Sequence, residues 1–249
     1  MKNNDLEVNN KQSTPLLIRV LPMLLLALGL VLFFFFDLDA YLTLDALKEN
    51  RQLLKNEVED LGYLAPLLYA LLYCIVTAFS IPGGLILSVT SGFLFGIYFG
   101  TLSVVVGATL GAVLVFLAVR FGIGDALVKK AGKTIQKMEA GFRENAFNYL
   151  LVLRLVPLFP FWLVNIVPAI FRMPVGSYAL ATFFGIAPGS FVYVLVGNGI
   201  NAIFDSGQDP DLTAIATKPE VILPIVGLAI LSMIPIVYKY IKQRKSHGE

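Results

Sequence analysis

Arg154 is the residue whose setting most strongly predicts a chemical role. It lies in the apolar run 149–157, three residues before Pro157. A charged side chain at the centre of a membrane helix costs roughly 2.5 to 3.5 kcal/mol on insertion scales unless it reaches water or binds an acceptor. A guanidinium is well shaped for phosphate because its planar fork presents paired donors. The sequence therefore predicts that Arg154 binds hairpin carbonyls, water or an anionic ligand such as a phosphate. A snorkelling arginine at the cytoplasmic end of a half-helix is the alternative.

Two more polar residues are candidates for ligand contact. Arg120 ends a long apolar helix, where a plain membrane anchor is the alternative. Asn165 lies between two apolar arms, where it either coordinates a ligand or satisfies broken backbone. The predicted ligand-binding set is therefore Arg154, Arg120 and Asn165.

The sequence contains few residues that could support enzymatic catalysis. The one histidine, His247, lies in the C-terminal tail, and the apolar segments contain no paired carboxylates and no Ser/Lys arrangement. We expect no catalytic residue, no metal site and no organic cofactor. The basic residues are few and divided among membrane flanks, so nucleic acid is not an expected partner.

Two apolar stretches must position these residues. The chain of 249 residues is 57% hydrophobic and 14% charged, with a mean hydropathy of +0.78, which indicates an integral membrane protein. The stretch 61–119 contains no charged residue yet includes Pro82, Gly83 and Gly84, and the stretch 148–199 includes Pro157 and Pro160. Proline and glycine interrupt helices, and a broken membrane segment survives only where protein or a water-filled cavity satisfies its backbone.

The two stretches follow one plan at a nearly constant offset. Residues 94–100 lie over 170–176, and the pair Gly107 and Gly111 lies over Gly185 and Gly189. Broken segments in corresponding positions of two halves are the expected sign of an inverted repeat, with coincidence as the alternative. The glycine pairs predict close helix packing, which would join the two crossing helices behind the broken segments.

Charge placement predicts the topology, because cytoplasmic flanks collect Lys and Arg. The basic residues concentrate in the N-tail, in 120–143 and in the C-tail, whereas residues 37–60 and 201–220 are acidic. We therefore divide the chain into a cytoplasmic N-tail (1–15), a transmembrane helix (16–36), an external amphipathic segment (37–62), an inverted-repeat core (63–200), an external loop (201–220), a transmembrane helix (221–241) and a cytoplasmic tail (242–249).

The chain must pass from outside at residue 60 to inside at residue 121, which requires an odd number of crossings. We predict that residues 64–98 dip in from outside and return and that 100–119 cross inward. Residues 149–172 then dip in from the cytoplasm, and 176–199 cross outward. A full crossing by 64–81 is the alternative. The predicted class is an all-α polytopic membrane protein, an inverted repeat of re-entrant hairpin plus transmembrane helix with flanking N- and C-terminal transmembrane helices.

Two polar segments are predicted to be amphipathic helices on the membrane surface. In the external segment, one stripe follows a Thr43 cap and ends at Gly62; its members are Leu44, Leu47, Leu54, Val58 and Leu61. The second segment, within 123–142, is basic and would face anionic headgroups, with an ordinary positive-inside loop as the alternative.

The order of these residues resembles the DedA superfamily, and more closely its VTT-domain (SNARE-associated Golgi protein) branch. The most specific part is Arg154-x-x-Pro157-x-x-Pro160 followed by Asn165, and the resemblance covers roughly residues 60–200. It implies paired re-entrant hairpins, a bacterial inner-membrane location and the movement of lipids or lipid phosphates between leaflets. Eukaryotic relatives are regarded as phospholipid scramblases, and some bacterial relatives are linked to recycling of polyprenyl-phosphate carriers and to the proton motive force.

One position departs from the resemblance. Many bacterial DedA members carry an acidic residue directly after the Pro-Gly of the first hairpin, where this chain has Gly84. A passive or differently driven transporter is therefore favoured over a proton antiporter built on a hairpin glutamate. The predicted function is movement of a phospholipid or lipid phosphate between leaflets, with membrane lipids of anionic headgroup as partners. Small-anion secondary transport and a noncatalytic membrane-homeostasis scaffold are the alternatives, and the oligomeric state stays open.

Overall fold

A computed structural model of the chain describes residues 16–124, 145–155, 161–205 and 222, and every regular element in these ranges is helical. The predicted all-helical class is confirmed. The elements are α1 (Leu16–Phe35), a 3₁₀ turn (Leu38–Tyr41), α2 (Leu44–Glu49), α3 (Arg51–Leu61), α4 (Leu64–Ala78), α5 (Gly84–Val119) with a π-helical extension (Arg120–Gly124), α6 (145–155), α7 (Phe161–Ile170) and α8 (Val175–Asp205).

Five predicted features lie wholly or largely outside the described residues. They are the N-tail, most of the basic central segment, the breaks at Pro157 and Pro160, the external loop from residue 206 onward, and, apart from Ile222, the helix 221–241 with its tail.

The break at Pro82 and Gly83 separates α4 from α5. Residues 79–83 are not helical, and Gly83 has a φ of 139°, which L side chains rarely adopt. Gly84 differs from its prediction as part of the break, because it is the first residue of α5. Its carbonyl oxygen accepts hydrogen bonds from Tyr73 Oη at 3.1 Å and from Ser88 Oγ at 2.7 Å, so side chains tie this helix end down.

α5 reverses direction at Gly96, which has φ 69° and ψ −169°. The Ser91 hydroxyl donates to the Gly100 carbonyl at 3.1 Å, whereas residues nine apart in a straight helix are separated by about 13.5 Å. α5 therefore consists of a first arm (84–95) and a second arm (97–119) that fold against each other.

α4 runs antiparallel to the first arm and parallel to the second. The Tyr69 hydroxyl donates to the Leu87 carbonyl at 2.6 Å, and the Tyr73 hydroxyl donates to the Gly84 carbonyl. A later residue of α4 thus contacts an earlier residue of the first arm, which is the antiparallel pattern. Against the second arm the residue numbers of both helices increase in the same direction. Ser103 bonds to the Pro66 carbonyl at 3.0 Å, and Gly111 packs on the Cys74 carbonyl. α4 and the first arm thus form a helical hairpin beside the second arm.

The glycine pairs pack differently from the prediction. Gly107 and Gly111 lie against α4, where a Cβ on Gly107 would contact the Ala70 carbonyl and one on Gly111 would lie 2.5 Å from Thr77 Cβ. Gly185 lies against Arg154 of α6, and a Cβ on Gly189 meets no described atom within 4 Å. Gly107, Gly111 and Gly185 therefore each pack a long helix against a shorter one, and in the described residues none of the three joins α5 to α8.

The contacts between the halves use other glycines. A Cβ on Gly92 would meet the Val194 backbone, and one on Gly197 would meet the Val89 carbonyl. Fully buried Tyr178 stacks on Phe116, with 4.3 Å between ring centroids. α8 and the second arm of α5 are antiparallel, because Tyr178 lies near residues 112–116 while Val194 lies near Gly100.

The external segment packs partly on protein. Thr43 caps α2 by accepting from the Ala46 amide at 3.1 Å, and Gly62 ends α3 with a φ of 52°, both as predicted. Leu47 is buried in a cluster with Val89 and Ile200. The beginning of the predicted membrane-facing stripe is therefore covered by α5 and α8.

By length and composition, the described helices that could cross a membrane are Gly84–Gly122 and Val175–Ile200, or three spans if the bent pair α3 and α4 counts as one. Gly96 divides the first, yet its second arm alone extends about 35 Å at 1.5 Å per residue, more than the roughly 30 Å of hydrocarbon. α8 continues through residues 201–205, which were predicted as loop. Neither Gly197 nor Gly199 ends it, since a glycine within a helix costs only about 1 kcal/mol.

Candidate functional site

α6 places Arg154 directly against α8. A Cβ on Gly185 would contact Arg154 Cβ, so the absence of a side chain there allows the arginine stem to lie on the α8 backbone. From that position the guanidinium extends along α8 toward Thr182 and Tyr178, which occupy the same face one and two turns earlier.

The described partners of the Arg154 guanidinium are uncharged. Its Nη2 donates to Asn165 Oδ1 at 2.5 Å, to Tyr178 Oη at 3.0 Å and to Thr182 Oγ1 at 3.3 Å. The guanidinium carbon lies 5.8 Å from the centre of the Tyr178 ring. We call these four residues, Arg154, Asn165, Tyr178 and Thr182, the arginine cluster.

Asn165 is positioned by α7 and is fully buried. Its Oδ1 accepts from both Arg154 and Tyr178, the latter at 2.8 Å, which fixes the orientation of the amide. Its Nδ2 has no hydrogen-bond partner among the described atoms. Because buried polar groups are normally paired, this amide is a donor suited to an acceptor outside the described part of the chain, such as a ligand.

Tyr178 connects the arginine cluster to the other half of the molecule. Its hydroxyl lies 3.2 Å from the Ala112 carbonyl of α5 and 2.8 Å from Asn165 Oδ1. A tyrosine hydroxyl has one hydrogen, so these two acceptors share it. Any movement of the second arm of α5 relative to α8 therefore alters the hydrogen bonds of Asn165.

Arg120 is not part of this cluster. It follows the end of α5, donates from Nη1 to the Met173 carbonyl at 3.0 Å, and lies 5.9 Å from the centre of the Phe116 ring. Since Phe116 stacks on Tyr178, packed aromatic rings connect the two arginines. Arg120 thus stabilises the turn that precedes α8.

The first half has an uncharged counterpart to the cluster. Tyr73 lies beside Gly107 as Arg154 lies beside Gly185, and Tyr73 Oη lies 3.1 Å from the hydroxyl of Ser88, on the arm that follows the break. Tyr73 and Ser88 both bond to the Gly84 carbonyl. The two halves therefore place polar side chains at corresponding positions, and only the second half places a charge there.

Comparison with known proteins agrees with this architecture. The VTT domain matches residues 81–199. Transmembrane protein 41B of Xenopus laevis is 31% identical over 195 residues, which cover 76% of this chain and 67% of the relative.

The chain belongs to the VTT-domain family.

Other relatives extend the range of similarity to this VTT-domain protein. Transmembrane protein 41B of Homo sapiens is 32% identical over 195 residues, covering 76% of this chain and 64% of its own. The Transmembrane protein 41 homolog of Dictyostelium discoideum is 33% identical over 187 residues, covering 74% of this chain and 54% of its own. The chain thus spans between about half and two thirds of the length of these relatives. No solved structure matches it.

Two members of the arginine cluster in this VTT-domain protein were not predicted from sequence. Tyr178 and Thr182 are uncharged and do not interrupt a helix, so neither stands out in an apolar run. The available signal is their spacing, because Tyr178, Thr182 and Gly185 share one helical face. That pattern indicates a polar stripe against which another helix packs.

Proposed function

We propose that this VTT-domain protein moves a phospholipid or a lipid phosphate between the leaflets of a bilayer, and that Arg154 and Asn165 contact the phosphate. The observation that carries the proposal is a guanidinium held by Asn165, Tyr178 and Thr182, all fully buried and uncharged. A phosphate would supply the negative charge that these partners lack.

The depth of Arg154 supports a role in crossing the bilayer. Its Cβ lies beside Gly185, ten residues along α8 from Val175. Ten residues of helix rise about 15 Å, which is half of the roughly 30 Å hydrocarbon thickness. A headgroup that crosses the membrane encounters its largest barrier near this depth, where a fixed cation is most useful.

The charge balance of the apolar segments favours an anion. Residues 61–119 and 146–204 contain no Asp or Glu. An arginine at mid-bilayer depth is costly unless an acceptor offsets its charge. A bound phosphate would offset that cost, and the Asn165 amide would add a neutral donor.

Reciprocal contacts support an inverted repeat. Tyr178 stacks on Phe116, and at the corresponding positions, 78 residues away in each case, Val194 lies 3.2 Å from the position of a Gly100 Cβ. Such self-complementary pairing is expected about a two-fold axis. Because the crossing helices are antiparallel, that axis would lie in the membrane plane.

We further propose that both hairpins are re-entrant and enter from opposite faces. Arg120 bonds to the turn 171–174 at one end of the bundle, whereas Asn198 Oδ1 lies 3.8 Å from the position of a Gly96 Cβ at the other. The positive-inside rule then predicts that the Arg120 end and both termini are cytoplasmic. The resemblance to bacterial DedA proteins favours an inner membrane.

The proposed transport is non-enzymatic and does not use a hairpin glutamate. Gly84 begins α5, and its carbonyl is bonded to Tyr73 and Ser88. This neutral network occupies the site where a proton-coupling carboxylate would be expected from the resemblance. Exchange should therefore run down its own gradient, toward equal distribution between leaflets.

Reconstitution into liposomes tests the proposal. Vesicles with and without protein would contain a trace of phosphatidylglycerol bearing a nitrobenzoxadiazole dye, and external dithionite would report the fraction of dye that reaches the outer leaflet. Release of an encapsulated water-soluble organic phosphate would be measured in parallel. We expect protein-dependent loss of nearly all the dye signal with no release of the soluble phosphate.

Two results would overturn the proposal. Release of the soluble phosphate without lipid exchange would favour small-anion transport. Absence of both, for phosphatidylglycerol and for a polyprenyl phosphate, would favour a scaffold.

A further inference from the structure

We propose that a cleft between α3 and the first hairpin binds an acyl chain of a zwitterionic phospholipid from the leaflet nearest residues 37–62. The cleft has a volume of about 540 Å³ and is open on one side. It is separate from the arginine cluster, none of whose members lines it. That bound lipid would be a donor for leaflet exchange, a role that rests on the proposed function, whereas the binding itself does not.

Three apolar helix faces form the walls of the cleft. α3 contributes Leu54, Val58 and Leu61, which fall on one helical face, and α4 contributes Leu68 and Leu72, four residues apart. The first arm of α5 supplies the third wall. The lining is mostly apolar and the cleft is open to its surroundings, so in a bilayer hydrocarbon chains would fill it.

The geometry of α3 places the cleft at hydrocarbon depth. α3 and α4 are bent by 116° relative to each other. Since α4 is parallel to the long second arm of α5, α3 extends across the bundle at the level where α4 begins. The cleft reaches Leu72, eight residues or about 12 Å along α4 from Leu64. At that depth the solvent is lipid tail, so the occupant is a hydrocarbon chain.

The rim of the cleft predicts the headgroup. Exposed Asn50 and Glu57 lie on its α3 side. Residues 37–60 contain seven acidic and three basic residues, so the rim repels anionic headgroups. A phospholipid whose headgroup carries an ammonium group fits this rim, with the ammonium near the Glu57 carboxylate and one tail below α3.

Tryptophan quenching by brominated lipids tests the binding. The chain contains one tryptophan, so Trp162→Phe gives a silent background. Into it we would introduce Leu72→Trp, inside the cleft, or Leu71→Trp, which is 57% exposed and absent from the lining. Each variant would be reconstituted in vesicles of increasing brominated phosphatidylethanolamine, or brominated phosphatidylglycerol, in phosphatidylcholine.

We expect phosphatidylethanolamine to quench Leu72→Trp with a relative binding constant at least two-fold above that of phosphatidylglycerol, whereas Leu71→Trp shows no preference. Ala46→Phe, which adds a ring inside the cleft, should remove the preference at Leu72→Trp and leave Leu71→Trp unchanged. Glu57→Gln should reduce the preference without displacing the chain.

Equal quenching of both reporters, unaffected by lipid type and by Ala46→Phe, would overturn the proposal. Lack of quenching at Leu72→Trp with normal quenching at Leu71→Trp would also overturn it, because protein would then fill the cleft. Leaflet exchange by the same preparations separates the two proposals: selective quenching without exchange would keep the binding site and reject the transport function.

Discussion

Arg154 Nη2 carries two hydrogens and faces three oxygen acceptors, of which Asn165 Oδ1 is the nearest and Thr182 Oγ1 the farthest. Whether the nearest acceptor is neutral or charged therefore determines how strongly the guanidinium can attract an anionic ligand. A neutral amide orients the guanidinium without cancelling its charge, whereas a carboxylate at the same place would do both.

Asn165→Asp is expected to abolish exchange of an anionic lipid while keeping the fold. The new carboxylate would pair with Arg154 at the present 2.5 Å contact and compete with phosphate for the guanidinium. We expect the exchange rate of labelled phosphatidylglycerol to fall at least ten-fold, with thermal stability in detergent unchanged or higher. Asn198→Asp, the same change on α8 and away from the arginine cluster, is the matched control. Wild-type exchange by Asn165→Asp would contradict the assigned role.

Tyr178→Phe is expected to slow exchange because the hydroxyl orients both Arg154 and Asn165. Losing a buried hydroxyl of this kind costs about 1 to 3 kcal/mol in stability, while the ring keeps its stack on Phe116. Tyr73→Phe removes the corresponding hydroxyl of the first half and is the control. Both variants should lose similar thermal stability, but only Tyr178→Phe should reduce anionic-lipid exchange, by several-fold. Equal exchange rates in the two variants would show that the hydroxyl is merely structural.

At the scale of residues, the sequence was enough to recognise Arg154 and Asn165 as candidates, but not enough to recognise their neutral partners Tyr178 and Thr182. Arg154 and Asn165 are recognisable because a cation in an apolar run is costly and a buried amide needs partners. Tyr178 and Thr182 become partners only when α8 is rotated so that Gly185 faces α6, and that rotation is a property of helix packing. The sequence also assigned Arg120 a ligand role, whereas its described partners are the Met173 carbonyl and the Phe116 ring.

Among the helices, the small residues decide which faces approach. Gly107 and Gly111 allow the second arm of α5 to lie on the α4 backbone, while Gly92 and Gly197 allow the two halves to meet. Without a hydrophobic driving force between helices in lipid, such close backbone contact supplies much of the association energy. An added side chain on each of these glycines would therefore overlap identified atoms, and the resulting loss of stability can be measured.

Gly107→Ala should destabilise the protein, and Gly189→Ala should not. The added Cβ on Gly107 would overlap the Ala70 carbonyl and lie 2.8 Å from Tyr73 Cβ, whereas one on Gly189 meets no described atom within 4 Å. Overpacking costs about 1 to 3 kcal/mol, so thermal unfolding in detergent should occur about 5 °C lower for Gly107→Ala. Gly189→Ala should unfold at or above the wild-type temperature, since alanine is the better helix former. The reverse order would disprove the assigned contacts.

The elements were predictable where local chemistry breaks a helix. Pro82 and Gly83 mark a true interruption because proline lacks an amide hydrogen and Gly83 takes a positive φ. The reversal was predicted between residues 98 and 100, and it lies at Gly96, because that glycine resembles its neighbours Gly92 and Gly100 and only tertiary contacts select it. The end of α8 was placed too early for a related reason: glycines in a membrane helix often serve packing and do not mark a terminus.

The two ends of the helix bundle differ in their contacts and in the charge of the segments beside them. Leu47 of α2, the first arm of α5 and Ile200 of α8 pack together at one end, and Arg120 meets the turn 171–174 at the other. The acidic segment 37–60 belongs to the first end and the basic flank beginning at Arg120 to the second. Charge placement and packing thus give the same two ends.

This arrangement predicts which side of the membrane each end faces. In a Cys74→Ala background, which removes the one native cysteine, single cysteines would replace Tyr63, Tyr98 or Phe121, which are 92%, 88% and 68% exposed. A membrane-impermeant maleimide applied to intact cells with a permeable outer membrane should label Tyr63→Cys and Tyr98→Cys. Phe121→Cys should be labelled only after the inner membrane is opened. Labelling of Tyr98→Cys on the same side as Phe121→Cys would contradict re-entry of the first hairpin.

At this scale the sequence predicts an internal repeat with a nearly constant offset, because glycines and breaks recur at matching positions, and the inverted repeat stays a prediction. It did not predict that only the second half carries a charge at the matched site. Tyr73 and Arg154 do not align by identity, and their equivalence follows from the glycines they pack against. The structure thus shows a neutral polar pair beside Gly107 and a charged cluster beside Gly185.

The most direct measurement is the rate of phosphatidylglycerol exchange in liposomes for wild type, Arg154→Gln and Arg172→Gly. Arg172→Gly removes one arginine from an exposed turn, where glycine accepts its φ of 53°, so it controls for the loss of a positive charge. A central role for Arg154 predicts a loss of at least ten-fold in Arg154→Gln and a near wild-type rate in Arg172→Gly, with all three proteins folded. Undiminished exchange by folded Arg154→Gln would contradict phosphate contact by this residue.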